Sequence, residues 1–222
     1  MEQQSKQATP RYTRGEEIFN MVSHIVGGGI GVLTLVGCVI VAALHGNAWG
    51  IVSGAVFGAM MILLYTASSL YHALRAGSLA KRVFRVLDHC TIFVLIAGTY
   101  TPFALVTLRG YEPWIGWTVF GVIWGMAALG AALNGIDLKK FAVFSMICYL
   151  AMGWCIVLAW KPLVAALPGG GIRLLLAGGI AYTVGAILYG IGSKKRWFHS
   201  IFHLFVVIGS VFHAVCVLFY VM

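Results

Sequence analysis

An all-α fold, seven transmembrane helices packed as one polytopic bundle, is what this sequence predicts, with the N-terminus cytoplasmic and the C-terminus outside. Three observations carry the prediction. Hydrophobic residues make up 61% of the chain and charged residues 9%, with a mean hydropathy of +0.95; a soluble domain needs far more charge to face water. The apolar residues gather into seven runs of about 20, the length that crosses a bilayer as a helix. They are too long for barrel strands and lack a strand's alternation. Lys and Arg fall mostly in alternate connectors, as cytoplasmic loops require.

The opening MEQQSKQATPRYTRGEEIFN is polar and of mixed charge, and reads as a cytoplasmic segment over 1–20, ahead of a seven-helix domain over 21–222. The first span is predicted at about 22–44. Its apolar run, Ile25 to Leu44, exceeds a signal-peptide core and shows no cleavage site, so it reads as a retained helix. The second span, about 50–73, carries Gly50, Gly54 and Gly58 four apart, a spacing that lets helices approach closely. The third, about 88–108, contains AGTYTPF. Pro102 there predicts a kink, with the hydroxyls of Thr99, Tyr100 and Thr101 near the freed carbonyls. The fourth, about 114–133, pairs Gly121 with Gly125, again read as packing inside the bundle rather than as a dimer face. The remaining spans are predicted at about 141–160, 172–192 and 200–221. Short connectors rich in Gly and Pro separate the spans. No internal repeat is evident, which counts against the inverted-repeat transporters.

Charge sets the orientation. Lys6, Arg11, Arg14, Arg75, Lys81, Arg82, Arg85, Lys139, Lys140, Lys194, Lys195 and Arg196 fall on the N-terminal side of the membrane, against Arg109, Lys161 and Arg173 on the other. The net charge of +9 therefore reflects topology, and a nucleic-acid partner is not expected. The five cysteines lie in apolar segments without a CxxC pair, and read as small packing residues.

This threading brings four ionisable groups to one face. SSLYH closes the second span with His72, VLDHC opens the third with Asp88, and HSIFH opens the seventh with His199 and His203. Ionisable groups at a membrane rim are costly to bury, so a shared depth asks for a cause, and a bound metal supplies one. His199 and His203, at i and i+4, project from one helical face a turn apart. Ser68 stands in the same relation to His72. Three imidazoles with room for water make an open, catalytic-type zinc site, His72, His199 and His203 being the ligands and Asp88 either binding directly or holding the water. Other histidines read differently. His24, behind Glu16, Glu17 and Asn20, is either a further site member or part of a capping network. His89 points about 100° away from Asp88. His213 lies about 15 Å beyond His203 along the helix, too far for the same metal; it either lines a cavity or, the simpler reading, hydrogen-bonds a neighbouring helix. His45 falls in an outer loop.

SSLYH, LDHCTIFVLIAGTYTPF, HSIFHLFVVIGSVFH and the early EEIFNMVSH together resemble the haemolysin III branch of the progestin and adiponectin receptor superfamily, from about Glu16 to the C-terminus. The resemblance implies a seven-helix bundle with zinc near the cytoplasmic face. Its serine-x3-histidine motif falls on Ser68 and His72, its aspartate on Asp88 and its HxxxH pair on His199 and His203. It also implies kinship with alkaline ceramidases, which hydrolyse a lipid amide, and a link to membrane-lipid homeostasis. The sequence shows no counterpart of the receptors' long soluble N-terminal region, so hormone reception is not carried over.

The expected function is thus a zinc-dependent hydrolase of an acyl-lipid amide, multi-pass in the bacterial inner membrane, with a membrane lipid or fatty acid as partner. Zinc would polarise the carbonyl and acidify water, Asp88 would orient the water or take its proton, and Ser68 would hydrogen-bond the oxyanion or the aspartate. Two other readings stay open. One is a structural zinc in a non-catalytic lipid-state sensor. The other is a haemolysin-type pore, disfavoured because no span carries a continuous polar stripe.

Overall fold

The computed structural model describes residues 12–192 and 195–222. Among them, seven helices are long and apolar enough to cross a membrane: α1 (Arg14–Leu44), α2 (Ala48–Ala73), α3 (Leu79–Tyr111), α4 (Pro113–Asp137), α5 (Ala142–Ala166), α6 (Gly169–Gly192) and α7 (Phe198–Tyr220). The all-α, seven-span expectation holds. Lys6, Arg11 and Lys194, used above for orientation, lie outside the described residues, as does the expected polar segment up to residue 11.

Successive helices alternate in direction, and contacts identify the two ends. At one end Glu17 of α1 meets His72 near the close of α2 and Lys81 near the start of α3, while Glu16 meets Trp197 just before α7. At the other, His45 Nδ1 lies 3.1 Å from the Met222 carbonyl oxygen and the Arg109 guanidinium 4.2 Å over the Trp49 ring. α3 runs through the middle, with 78% of its apolar stretch buried against 50% for α2 and 17% for α6. It packs on α2 and α4, while α1 packs on α2 and α7, and α6 on α7.

Two helices begin earlier than expected, and each start has a local cause. Thr13 caps α1: its hydroxyl accepts from Glu16 N at 3.3 Å, and Glu16 Oε2 accepts from Thr13 N at 2.8 Å. This reciprocal capping box satisfies two donors that a helix start otherwise orphans. Ser78 caps α3 in one direction only, its hydroxyl accepting from Lys81 N at 3.1 Å. The stretch from Leu79 is therefore helix rather than connector, and Asp88 sits nine residues inside α3 instead of opening it.

Pro102 does not end α3. Beyond it the chain runs as a π-helical segment, Phe103–Leu108, before one last α-turn, a wider winding that accommodates local disruption of the ladder. The neighbouring hydroxyls bond back one turn, Thr99 to Leu95 O and Thr101 to Ala97 O, both at 2.8 Å, and not to Gly98 O, the carbonyl that Pro102 leaves free. Tyr100 serves a different break. α5 narrows to a 3₁₀ stretch over Cys155–Ala159, where the Tyr100 hydroxyl donates to Gly153 O at 3.0 Å and accepts from Ile156 N at 2.8 Å.

The glycine readings divide. On α2 a Cβ at Gly58 would stand 2.5 Å from Leu35 Cα, and one at Gly54 2.7 Å from Cys38 Cβ, so α1 and α2 pack backbone to backbone. Gly121 and Gly125 are exposed, with open space where a Cβ would be. They make no close approach within the chain, contrary to expectation, because α4 turns its Gly116 and Gly130 face inward instead.

Candidate metal centre

The last turns of α2 and the first turns of α7 bring His72, His199 and His203 together. One ring nitrogen from each lies within 4.8 Å of the others. His199 Nε2 and His203 Nε2 are 3.0 Å apart, close to the ~3.3 Å that separates two imidazole nitrogens on one tetrahedral zinc with Zn–N of about 2.0–2.1 Å. His72 and His203 are 3% and 1% exposed. The His72 Nε2 atom is buried and has no hydrogen-bond partner. A buried imidazole nitrogen without a partner costs stability, and a cation relieves that cost. The donor set of three imidazoles suits zinc among the common divalent ions.

Asp88 is not among those clustered atoms. It lines the same cavity as His199, His203 and Ser68, with its Oδ2 3.5 Å from His89 Nδ1. Ser68 Oγ is buried without a partner, one helical turn from His72. His89 Nδ1 donates to Arg85 O at 2.9 Å and is not among the clustered atoms, although His89 lines the same cavity as Asp88 despite their angular offset. His24 stacks face to face on His203, ring centroids 3.8 Å apart, with both its nitrogens buried and unpartnered. His213 Nε2 donates to Leu175 O of α6 at 3.2 Å, the bond to a neighbouring helix read from the sequence.

From His199 and His203 an apolar cavity of about 270 Å³ runs into the bundle. Ile92, Leu95, Ile96, Phe202 and Val206 form part of its wall, and His213 lies in its lining ten residues beyond His203 on α7. At 1.5 Å rise per residue that places His213 ~15 Å from His203. Arg85 and Lys139 line the end that holds Asp88. The shape suits one long apolar chain with a polar group at the histidines.

Three residues at the site escaped sequence reasoning as contributors to it. Glu17 Oε2 is 2.6 Å from His72 Nδ1, and Glu17 Oε1 accepts from Lys81 Nζ at 2.8 Å. Lys81 is 1% exposed and also donates to Leu74 O at 3.1 Å. Tyr12 stacks on His199 with ring centroids 4.8 Å apart and also approaches His72. Burial holds its phenol well above the ordinary tyrosine range, so the hydroxyl stays protonated. A signal for Glu17 was present: with Asn20 and His24 it repeats at i, i+3 and i+7, one face of a helix. Lys81 offered none, since its partner lies 64 residues away.

A family model described as Haemolysin-III related matches residues 12–214. "Hemolysin-3" of Bacillus cereus is 44% identical over 207 residues, covering 93% of this chain and 92% of that protein. "Hemolysin-3 homolog" of Bacillus subtilis (strain 168) is 43% identical over 209 residues, covering 94% and 96%. More distantly, the Homo sapiens "Monocyte to macrophage differentiation factor" is 25% identical over 186 residues, covering 81% and 74%.

Proposed function

The chain belongs to the haemolysin III-related family, and on that premise we propose that it is a zinc-dependent hydrolase of a membrane acyl lipid, cleaving an amide bond. The observation that carries the reading is the largely buried histidine trio, two of whose members, His199 and His203, line an apolar cavity together with Asp88 and Ser68. A purely structural metal site needs no adjoining chain-shaped cavity. Family membership and seven spans support a multi-pass membrane protein. Placement in the bacterial inner membrane, with the trio at the cytoplasmic face, is the finer part of the proposal. It is supported by the cations Arg75, Lys81, Arg82, Arg85, Lys139, Lys140, Lys195 and Arg196, which belong to helix ends and connectors on the trio's side.

His72, His199 and His203 would hold the zinc, which supplies Lewis acidity toward a carbonyl oxygen or a water. The chain's own residues do the rest. The apolar wall holds the acyl chain and excludes water from it. Asp88, a carboxylate in the cavity that His199 and His203 line, orients the attacking water, accepts its proton and returns it to the departing amine nitrogen. Ser68, whose hydroxyl has no internal partner, donates to the oxygen on which negative charge develops. Tyr12, stacked on His199, restricts access to the ligands from outside the bundle.

The test is turnover by purified, zinc-loaded protein on a panel of lipid amides and esters in nanodiscs, reading fatty acid released. Release from an amide substrate, lost on chelation and restored by zinc, is the expected result. No release from any member, with zinc bound at the trio, would reduce the site to a structural clasp.

A further inference from the structure

We propose that Glu17 is the positioning residue of the metal centre: held by Lys81, it fixes the tautomer and the angle of the His72 ring. The inference rests on the metal-site reading above and extends it one shell outward, to residues on α1 and α3.

The argument begins with what each atom can do. A carboxylate oxygen only accepts a hydrogen bond. Glu17 Oε2 stands 2.6 Å from His72 Nδ1, so Nδ1 carries the ring proton and donates it. A neutral imidazole has one donor and one acceptor nitrogen, and Nε2 is therefore left with its lone pair. That atom is the one found buried with no partner, and neutral Nε2 is the form a metal binds. Ligating histidines commonly give their second ring proton to a carboxylate, which orients the ring and raises its basicity.

Glu17 is itself constrained. Its other oxygen accepts from Lys81 Nζ at 2.8 Å, and that ammonium also donates to the carbonyl of Leu74 at the end of α2. Lys81 is 1% exposed, and a cation so buried persists only when paired. The Lys81–Glu17–His72 chain thus joins the starts of α1 and α3 to the end of α2. No comparable carboxylate approaches the other two ligands among the described residues: the unbonded nitrogens of His199 and His203 are Nδ1 in both, and their Nε2 atoms face each other. The ring presented by α2 is the one that the chain orients from behind.

The test has two readouts, one of which needs no metal. First, ¹⁵N NMR of histidine-labelled, metal-stripped protein in nanodiscs, assigned with His72→Ala, reports which His72 nitrogen is protonated. Wild type is expected to show Nδ1–H, Glu17→Gln to retain it through its amide oxygen, and Glu17→Ala to lose the preference. Second, competition with a chromophoric chelator gives zinc affinity. Glu17→Gln is expected to bind about 10-fold more weakly and Glu17→Ala about 100-fold, the range typical of losing an outer-shell partner. Protonation of Nε2 in wild type, or wild-type zinc affinity in both variants, overturns the proposal. Should Glu17→Ala fail to fold, the wild-type spectrum and Glu17→Gln still decide it. A wild-type protein that binds no zinc yet shows Nδ1–H would sink the metal reading and leave the Glu17 contact standing, so the two failures are distinguishable.

Discussion

Glu16→Gln tests how the two helix starts that frame the site are held together. Glu16 is 4% exposed. Its Oε2 accepts from Thr13 N and Thr13 Oγ1, both at 2.8 Å, and its Oε1 from Trp197 N at 2.6 Å. Trp197 has φ 67°, the left-handed region that disfavours a bulky side chain, and it is the residue from which α7 and its histidines start. Hydrogen bonds to a charged group contribute about 1.5–3 kcal/mol each. Glutamine keeps one neutral oxygen and turns an NH₂ toward the donors on the other side, so at least one charge-assisted bond is lost and the rest weaken. The expected cost is about 2–3 kcal/mol. At ~2–4 °C per kcal/mol for a chain of this size, the melting temperature should fall by roughly 4–12 °C. Thermal unfolding in detergent, followed by circular dichroism at 222 nm and by tryptophan fluorescence, reads this directly. A shift of less than about 2 °C would refute the clasp and the idea that it stabilises Trp197's backbone.

Gly58→Ala should destabilise by about 1–3 kcal/mol through overpacking against the α1 backbone. Gly121→Ala and Gly125→Ala, in open space on a helix, should leave stability unchanged or raise it by about 0.5–1 kcal/mol each; the same melting assay orders the three. Tyr100→Phe removes the hydroxyl that serves the break in α5 and should cost about 1–3 kcal/mol, with increased hydrogen exchange around Cys155–Ala159 as the local readout. Asp88→Asn should lower lipid-amide turnover by about 10²–10⁴-fold while zinc content, measured by emission spectrometry, stays near the wild-type value.

Much of the fold was legible because bilayer thickness imposes it. Seven apolar runs of one length admit few arrangements, and seven helices are found. The trio was legible for a related reason: once His72 closes one span and HSIFH opens another on the same side, antiparallel threading brings them to one level. The helix starts were harder. Thr13-x-x-Glu16 is a readable capping box, yet its polarity made it look like a segment outside the membrane. Leu79–Leu87 reads as a basic connector because Lys81 and its neighbours are charged, whereas Lys81 is buried through pairing with Glu17, a partner no local pattern points to. The 3₁₀ stretch in α5 was invisible for the same reason, since the hydroxyl that makes it tolerable comes from α3. Gly121 and Gly125 show the opposite failure. Small residues at i and i+4 permit close packing, and only the neighbouring helices decide whether it occurs.

The claim on which everything else depends is that α2 and α7 share one metal ion. Anomalous diffraction at the zinc absorption edge from crystals of the zinc-loaded protein tests it most directly. The account expects one strong peak, ~2.0–2.1 Å from a ring nitrogen of each of His72, His199 and His203. A peak bound by other side chains, or no peak between these three rings, would contradict it.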